Sequence, residues 1–310
     1  MATLYTHKDA NIRKTWLLMA LFLAVIIAVG WFISLYLGDP AILYVAIVFA
    51  LVMNVGAYWF SDKIVIQMTG ARPVTKAQAP ELYRIVENLS ITAGLPLPKV
   101  YVVDDPAPNA FATGRNPEHA AVAVTTGLLQ ILEKTELEGV LAHELSHIGN
   151  RDMLVSTVAV VLAGFVAIVA DIFMRTSLFG GGRDNDNRIH PIVLVLGIVG
   201  IILAPLAAQL LRLAVSRKRE YLADASGALL TRYPEGLASA LEKISSYARP
   251  LQRANHATAH LFISDPFGAG ERKSVWNKIS NLFATHPPIP DRVRALRGSD
   301  AQQPGGGANI

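Results

Sequence analysis

Apolar positions along the chain follow two regimes. In four stretches they run on without a polar face: 15–37 ("TWLLMALFLAVIIAVGWFISLYL"), 41–60, 153–174 and 191–214. Each reaches the roughly 20 residues needed to cross bilayer hydrocarbon. Helices of soluble domains seldom run that far without a polar side, so the pattern predicts four transmembrane helices. Trp16, Trp31 and Tyr36 sit toward the ends of the first, and the second has Asn54 as its polar interruption and closes on "AYWF". These aromatics suit the membrane–water interface. Elsewhere the apolar positions are periodic. Leu82, Ile85, Val86 and Leu89 predict a helix that Gly94 ends. "PKVYVVDD" predicts a strand, "PNAFATG" (108–114) a turn-rich stretch, and 120–124 a strand of small residues. "EKTELEGVLAHELSHIGN", "SRKREYLADASGALL" and "PEGLASALEKISSYA" predict helices, and "RKSVWNKISNLFATH" a basic amphipathic helix packed inward.

Composition agrees with the membrane reading. Of 310 residues, 52% are hydrophobic and 17% charged, against roughly 25% charged in soluble domains. The chain has no cysteine, which excludes a disulfide framework and any thiolate metal site. A net charge of +4 comes without a basic block carrying interleaved aromatics, so no nucleic-acid partner is expected. The positive charges flank the spans instead: Lys8, Arg13 and Lys14 before the first, Lys63, Arg72 and Lys76 after the second, Arg217, Lys218 and Arg219 after the fourth. Only "GDP" joins spans one and two. The positive-inside rule then puts both termini and the 61–152 segment in the cytosol. The expected organisation is an N-terminal tail and hairpin (1–60), the first part of a cytosolic domain (61–152), a second hairpin (153–214), the second part of the domain (215–297) and a disordered tail (298–310).

One motif carries chemistry. His143 and His147 stand four apart on a predicted helix, with Glu144 behind the first. That spacing puts both imidazoles on one face, as shared metal ligands require. Glu144 is then placed to reach a water rather than the metal, the position of a general base in H-E-x-x-H metallopeptidases. Chance yields this motif in such a chain about once in a hundred, so a decorative match is set aside. A catalytic zinc site needs a third protein ligand. Of the carboxylates on the cytosolic side, Glu220 is the candidate because its helix emerges from the fourth span on the side of His147. Asp224, one turn on, would accept a hydrogen bond from a ligand imidazole. Glu235, Glu242, Asp265, Glu271 and Asp291 are the other carboxylates in reach.

With two spans before the motif and E-x-x-x-D after two more, the chain resembles the HtpX membrane metalloproteases, zinc peptidases related to the CAAX prenyl proteases. "NAFATG" at 109–114 and "THPPIPDRVRAL" at 285–296 strengthen the likeness. The resemblance implies one Zn(2+) per chain on His143, His147 and Glu220, with Glu144 as catalytic base and Asp224 supporting a ligand. It adds His286 and Arg292 as catalytic residues, His286 toward the oxyanion. The expected fold class is mainly α with a small β-sheet: a polytopic membrane protein with four transmembrane helices and a cytosolic zincin-like metalloprotease domain. The expected function is that of a zinc-dependent endopeptidase of the bacterial inner membrane. It would cleave misfolded or damaged membrane proteins at their cytosolic segments, in quality control under stress. The bilayer and unfolded membrane proteins are the expected partners. Substrate is expected to pair, backbone to backbone, with an edge strand at Ala121, Val122 and Ala123, near Asn109. The rival readings are a membrane adaptor with structural zinc and a CAAX-type prenyl-protein processing peptidase. Glu144 argues against the first, since a closed four-ligand site has no use for a carboxylate there.

Overall fold

The computed structural model describes residues 4–179, 217–247, 250–252, 261–264 and 287–298. The first two apolar runs are α1 (Leu4–Leu37) and α2 (Ala41–Thr69). Both extend past the predicted spans, α1 at its start and α2 at its end. They pack as an antiparallel hairpin, with Trp16 stacked on Tyr58 at 6.0 Å. Asn54, the polar interruption of span two, donates from Nδ2 to the Met19 carbonyl at 3.2 Å, a polar tie between helices that lipid cannot replace. Residues 9–37 and 41–69 are each long and apolar enough to cross a membrane; α5 (Lys134–Gly149) and α6 (Asp152–Phe179) pass that test only as one bent pair. Leu154, Val158 and Leu162 of α6 bury against Leu18, Phe22, Ala50 and Ala57 of the hairpin. The expected fourth span (191–214), the amphipathic helix around Trp276 and the tail at 299–310 lie outside the described residues.

Beyond the hairpin the chain is built on a four-stranded mixed sheet in the order β1-β2-β4-β3. Its strands are β1 (Arg72–Pro73), β2 (Lys99–Val103), β3 (Ala110–Gly114) and β4 (Ala120–Thr125). β2 and β4 are parallel, and β3 is antiparallel to β4, with Ala112 opposite Val122. Two expectations are corrected here. The "NAFATG" stretch is strand, not turn, because β4 supplies a partner its short Asn- and Gly-bounded run does not advertise. And Ala121, Val122 and Ala123 are not on an edge: β4 is paired on both sides, so its backbone has nothing left to offer a substrate. β3 is the edge.

α3 (Pro80–Ala93), α4 (Thr126–Ile131), α7 (Arg217–Thr231), α8 (Pro234–Ser246) and α9 (Ile289–Arg297) complete the described helices. Leu82, Val86 and Leu89 of α3 bury as their spacing predicts, in the same core as Leu141, Leu145 and Ile148 of α5 and Leu237 and Leu241 of α8. Two glycines let backbones meet α5 closely. A Cβ on Gly139 would stand 2.6 Å from Leu237 N, and one on Gly227 would stand 2.9 Å from His143 N. Overpacking of that kind costs about 1–3 kcal/mol, so α7 lies against the backbone of the first histidine only because residue 227 has no side chain.

Candidate metal centre

α5 carries the histidines and ends at Gly149; Arg151 then takes a left-handed φ of 56°. The chain turns there, and α6 leaves at 83° to α5. The ligand helix therefore leads into the third apolar helix through a corner rather than straight. Nε2 of His143 and His147 lie 3.2 Å apart. Glu220, in the first turn of α7, brings Oε1 to 3.6 Å from His147 and Oε2 to 3.8 Å from His143. Ligands 2.0–2.1 Å from a tetrahedral zinc are about 3.3 Å from one another. One donor atom from each residue lies within 4.8 Å of the other two, close enough to share one ion, and two imidazoles with a carboxylate are a donor set that zinc takes. The residues fit the metal, and among the described residues no fourth ligand joins the three.

Each histidine has its own carboxylate behind it. His143 Nδ1 is 2.9 Å from Asp224 Oδ1, a short contact in which the ring N–H is not well aimed at the oxygen. Asp224 is itself clamped by Arg292, which donates from Nε at 2.8 Å and from Nη2 at 2.6 Å. His147 Nδ1 is 3.2 Å from Oδ2 of Asp152, a residue the motif by itself does not include. An acid in the first turn of the next helix, five residues after the second histidine, was the available signal.

Charge follows from this packing. Burial lifts the Glu144 carboxyl to about 7, with Glu220 adding to the rise, while nearby His147 and an Ala112 N–H bond work against it. Burial opposes the charged form of His147, but the Asp152 bond and the Glu220 carboxylate outweigh it and raise the ring to about 9. His143 is pushed down by burial, against the pull of Asp224. For Asp224, burial opposes ionisation, but Arg292 and His143 win and hold it near about 2.

His143, His147, Glu144, Glu220, Asp224 and Arg292 thus come together. Arg292 is fully buried behind the ligands, facing Asp224 and, at 3.8 Å, Glu220. From there it clamps Asp224 and, through it, steadies the ligand set. His286 lies outside the described residues. Asn109 is buried, its amide used on Ser264 O (3.0 Å), Ser264 N (3.3 Å) and Ala110 N (3.1 Å). Its side chain thereby holds the 261–264 segment against the start of β3. β3 supplies what the sequence reading missed. Asn109 O bonds β4, through Thr125 N, and Ala110 O bonds Ile263 N on the other side. Antiparallel alternation then turns both backbone groups of Ala112 away from β4, where its N–H meets Glu144.

The sequence matches peptidase family M48 over residues 76–300. It is similar to the protease HtpX homologs of Syntrophobacter fumaroxidans (49% identity over 286 residues, 92% of this chain and 98% of that one) and Caldanaerobacter subterraneus subsp. tengcongensis (46% over 301 residues, 95% and 97%). The homolog of Pyrococcus furiosus is 49% identical over 286 residues, 92% of this chain and 94% of its own. Among solved structures, Ste24p of S. mikatae superposes with a TM-score of 0.50 at 19% identity, covering 94% of this chain and 67% of that one. That last likeness is one of fold.

Proposed function

The chain belongs to peptidase family M48, and from that premise we propose that it is a zinc endopeptidase of the bacterial inner membrane that cuts cytosolic segments of misfolded or damaged membrane proteins. It is a metalloprotease by family; the zinc, one per chain, the location and the substrates are our reading. The observation that carries it is the convergence of His143, His147 and Glu220 beside a buried carboxyl at Glu144. When bound there, zinc supplies Lewis acidity, lowering the pKa of a water toward about 7 and polarising the scissile carbonyl.

The chain's own residues do the rest. Glu144 takes a proton from the attacking water and returns it to the leaving amine. Burial favours the protonated carboxyl and a bound cation the ionised one, so the group can serve both halves of that exchange. Ala112, at the free edge of the sheet, offers its backbone carbonyl to an extended substrate. Pairing through backbone alone reads little sequence, which suits segments recognised by being unfolded. Because α5 meets α6 at 83°, an α6 that crosses the bilayer puts the ligand helix nearly parallel to its surface. Arg115, in the turn after β3, donates to Trp59 O at 3.2 Å and lies 4.6 Å over the Trp59 ring. The cleft edge is thereby tied to the interfacial end of span two.

Purified full-length protein with zinc should cleave an unfolded membrane protein and spare the same protein folded, and a chelator should stop the reaction until zinc is restored. Zinc-bound protein that cuts neither form would overturn the reading. Orientation is tested separately. The chain has no native cysteine, so Asp39→Cys and Ala93→Cys, both at exposed positions, report alone. An impermeant thiol reagent applied to intact cells should label Cys at 39 and spare it at 93; the opposite result inverts the topology.

A further inference from the structure

Asn11 lies on α1 ahead of the first apolar run, 65 positions before the start of the family match (76 − 11), and is 3% exposed. Its Nδ2 donates to the Asn150 carbonyl at 3.1 Å and to Asp152 Oδ1 at 2.6 Å, and its Oδ1 accepts from Arg219 Nη1 at 3.5 Å. Both Nδ2 hydrogens and the carbonyl are in use. These contacts join segments 141 and 208 residues away in the chain, and both lead into the metal centre. The other oxygen of Asp152 is the one 3.2 Å from His147 Nδ1, and Arg219 immediately precedes Glu220. Asn150 is the end of the ligand helix, at the corner where the chain turns into α6.

We propose that Asn11 is a positioning residue of the metal centre, acting through Asp152 on His147. This rests on the reading of His143, His147 and Glu220 as metal ligands. A ligand imidazole is oriented by what its second nitrogen bonds. Here that partner is a carboxylate, and a carboxylate free to rotate orients nothing. Asn11 pins its Oδ1 and leaves Oδ2 for the ring, so His147 presents Nε2 to the point shared with His143 and Glu220. By holding the α5–α6 corner and Arg219 with one amide, Asn11 also clasps the two stretches that bring the second and third ligands together. The segment before the first span is on this account a working part of the peptidase site.

The test uses full-length protein in detergent, carrying Glu144→Gln so that the chain stays intact. Zinc dissociation constants are read by competition with a chromophoric chelator, and the visible spectrum of the Co(II) form reports ligand geometry. Outer partners of metal ligands typically change affinity by about 10- to 100-fold. Asn11→Ala and Asn11→Asp should each weaken zinc by about 10-fold and shift the Co(II) bands, the Asp variant by placing a second carboxylate against Asp152. On an Asp152→Asn background, Asn11→Ala should add less than its own factor, because the two act in series. Should one Asn11 variant not fold, the other decides. Unchanged zinc affinity and Co(II) spectrum, with only a lower melting temperature of the zinc-free protein, would reduce Asn11 to helix packing and overturn the proposal. Effects that multiply in the double variant would also overturn it, by removing Asp152 from the route. His147→Ala that still binds zinc at full affinity would instead overturn the ligand reading on which the proposal stands.

Discussion

Glu144→Gln is expected to keep its zinc and to lose peptidase activity by about 100- to 10,000-fold in kcat, the range that positioned general acid–base catalysis contributes. Glu144 is not among the three residues that converge as ligands, so the amide leaves the metal's partners in place. It also leaves the fold in place, since the side chain keeps its size and its carbonyl still accepts from Ala112 N–H. What it cannot do is take a proton. The wild-type carboxyl is raised toward about 7 by burial, and a bound cation pulls such a group back down. A base works only when ionised, so wild-type activity should fall as pH drops through the carboxyl's pKa, and the residual activity of the variant should lose that limb. Metal analysis beside initial rates on a casein-type substrate decides the matter. A variant stripped of zinc would make Glu144 a ligand and leave the base unassigned.

Glu220→Ala removes one of three protein ligands and should cost both zinc and activity. Its effect should exceed that of Asp224→Asn, which keeps every ligand and should weaken zinc by about 10- to 100-fold. Asn is the better probe at 224 because Arg292 is buried against it. Removing one partner of a buried pair outright typically destabilises by about 3–5 kcal/mol, and unfolding would obscure the metal measurement. Zinc binding by the wild type should weaken as pH falls. Metal takes neutral imidazole, and His147 holds its proton up to about 9 in the metal-free protein, so protons compete over the whole neutral range. Equilibrium dialysis across pH reads both effects. Stoichiometric zinc and normal cleavage in Glu220→Ala would send the search to another carboxylate.

The parts of this protein legible in its sequence are those set by local periodicity. Two histidines four apart on a helix share a face whatever surrounds them, and Glu220 and Asp224 share one by the same spacing. The apolar runs at 15–37 and 41–60 predict membrane-length helices by length alone, and the structure has α1 and α2 there. The 3.6-residue pattern of 82–89 likewise settled which side of α3 is buried. Tertiary structure decided which groups meet across long separations. A strand does not record how many neighbours it will have, so the small-residue run at 121–123 read as an edge and is paired on both sides, while the Asn- and Gly-bounded 110–114 read as turn and is the edge. Nothing local paired Arg292 with Asp224; α9 brings the two together. Asp152 lies outside the H-E-x-x-H motif, and the positive φ of Arg151 turns the chain so that its carboxylate comes back to His147. Asn11 had no signal at all, because its partners lie 139 to 208 residues away. A hydrogen bond over such a separation leaves no periodicity in the sequence, since it exists only once the apolar helices have packed.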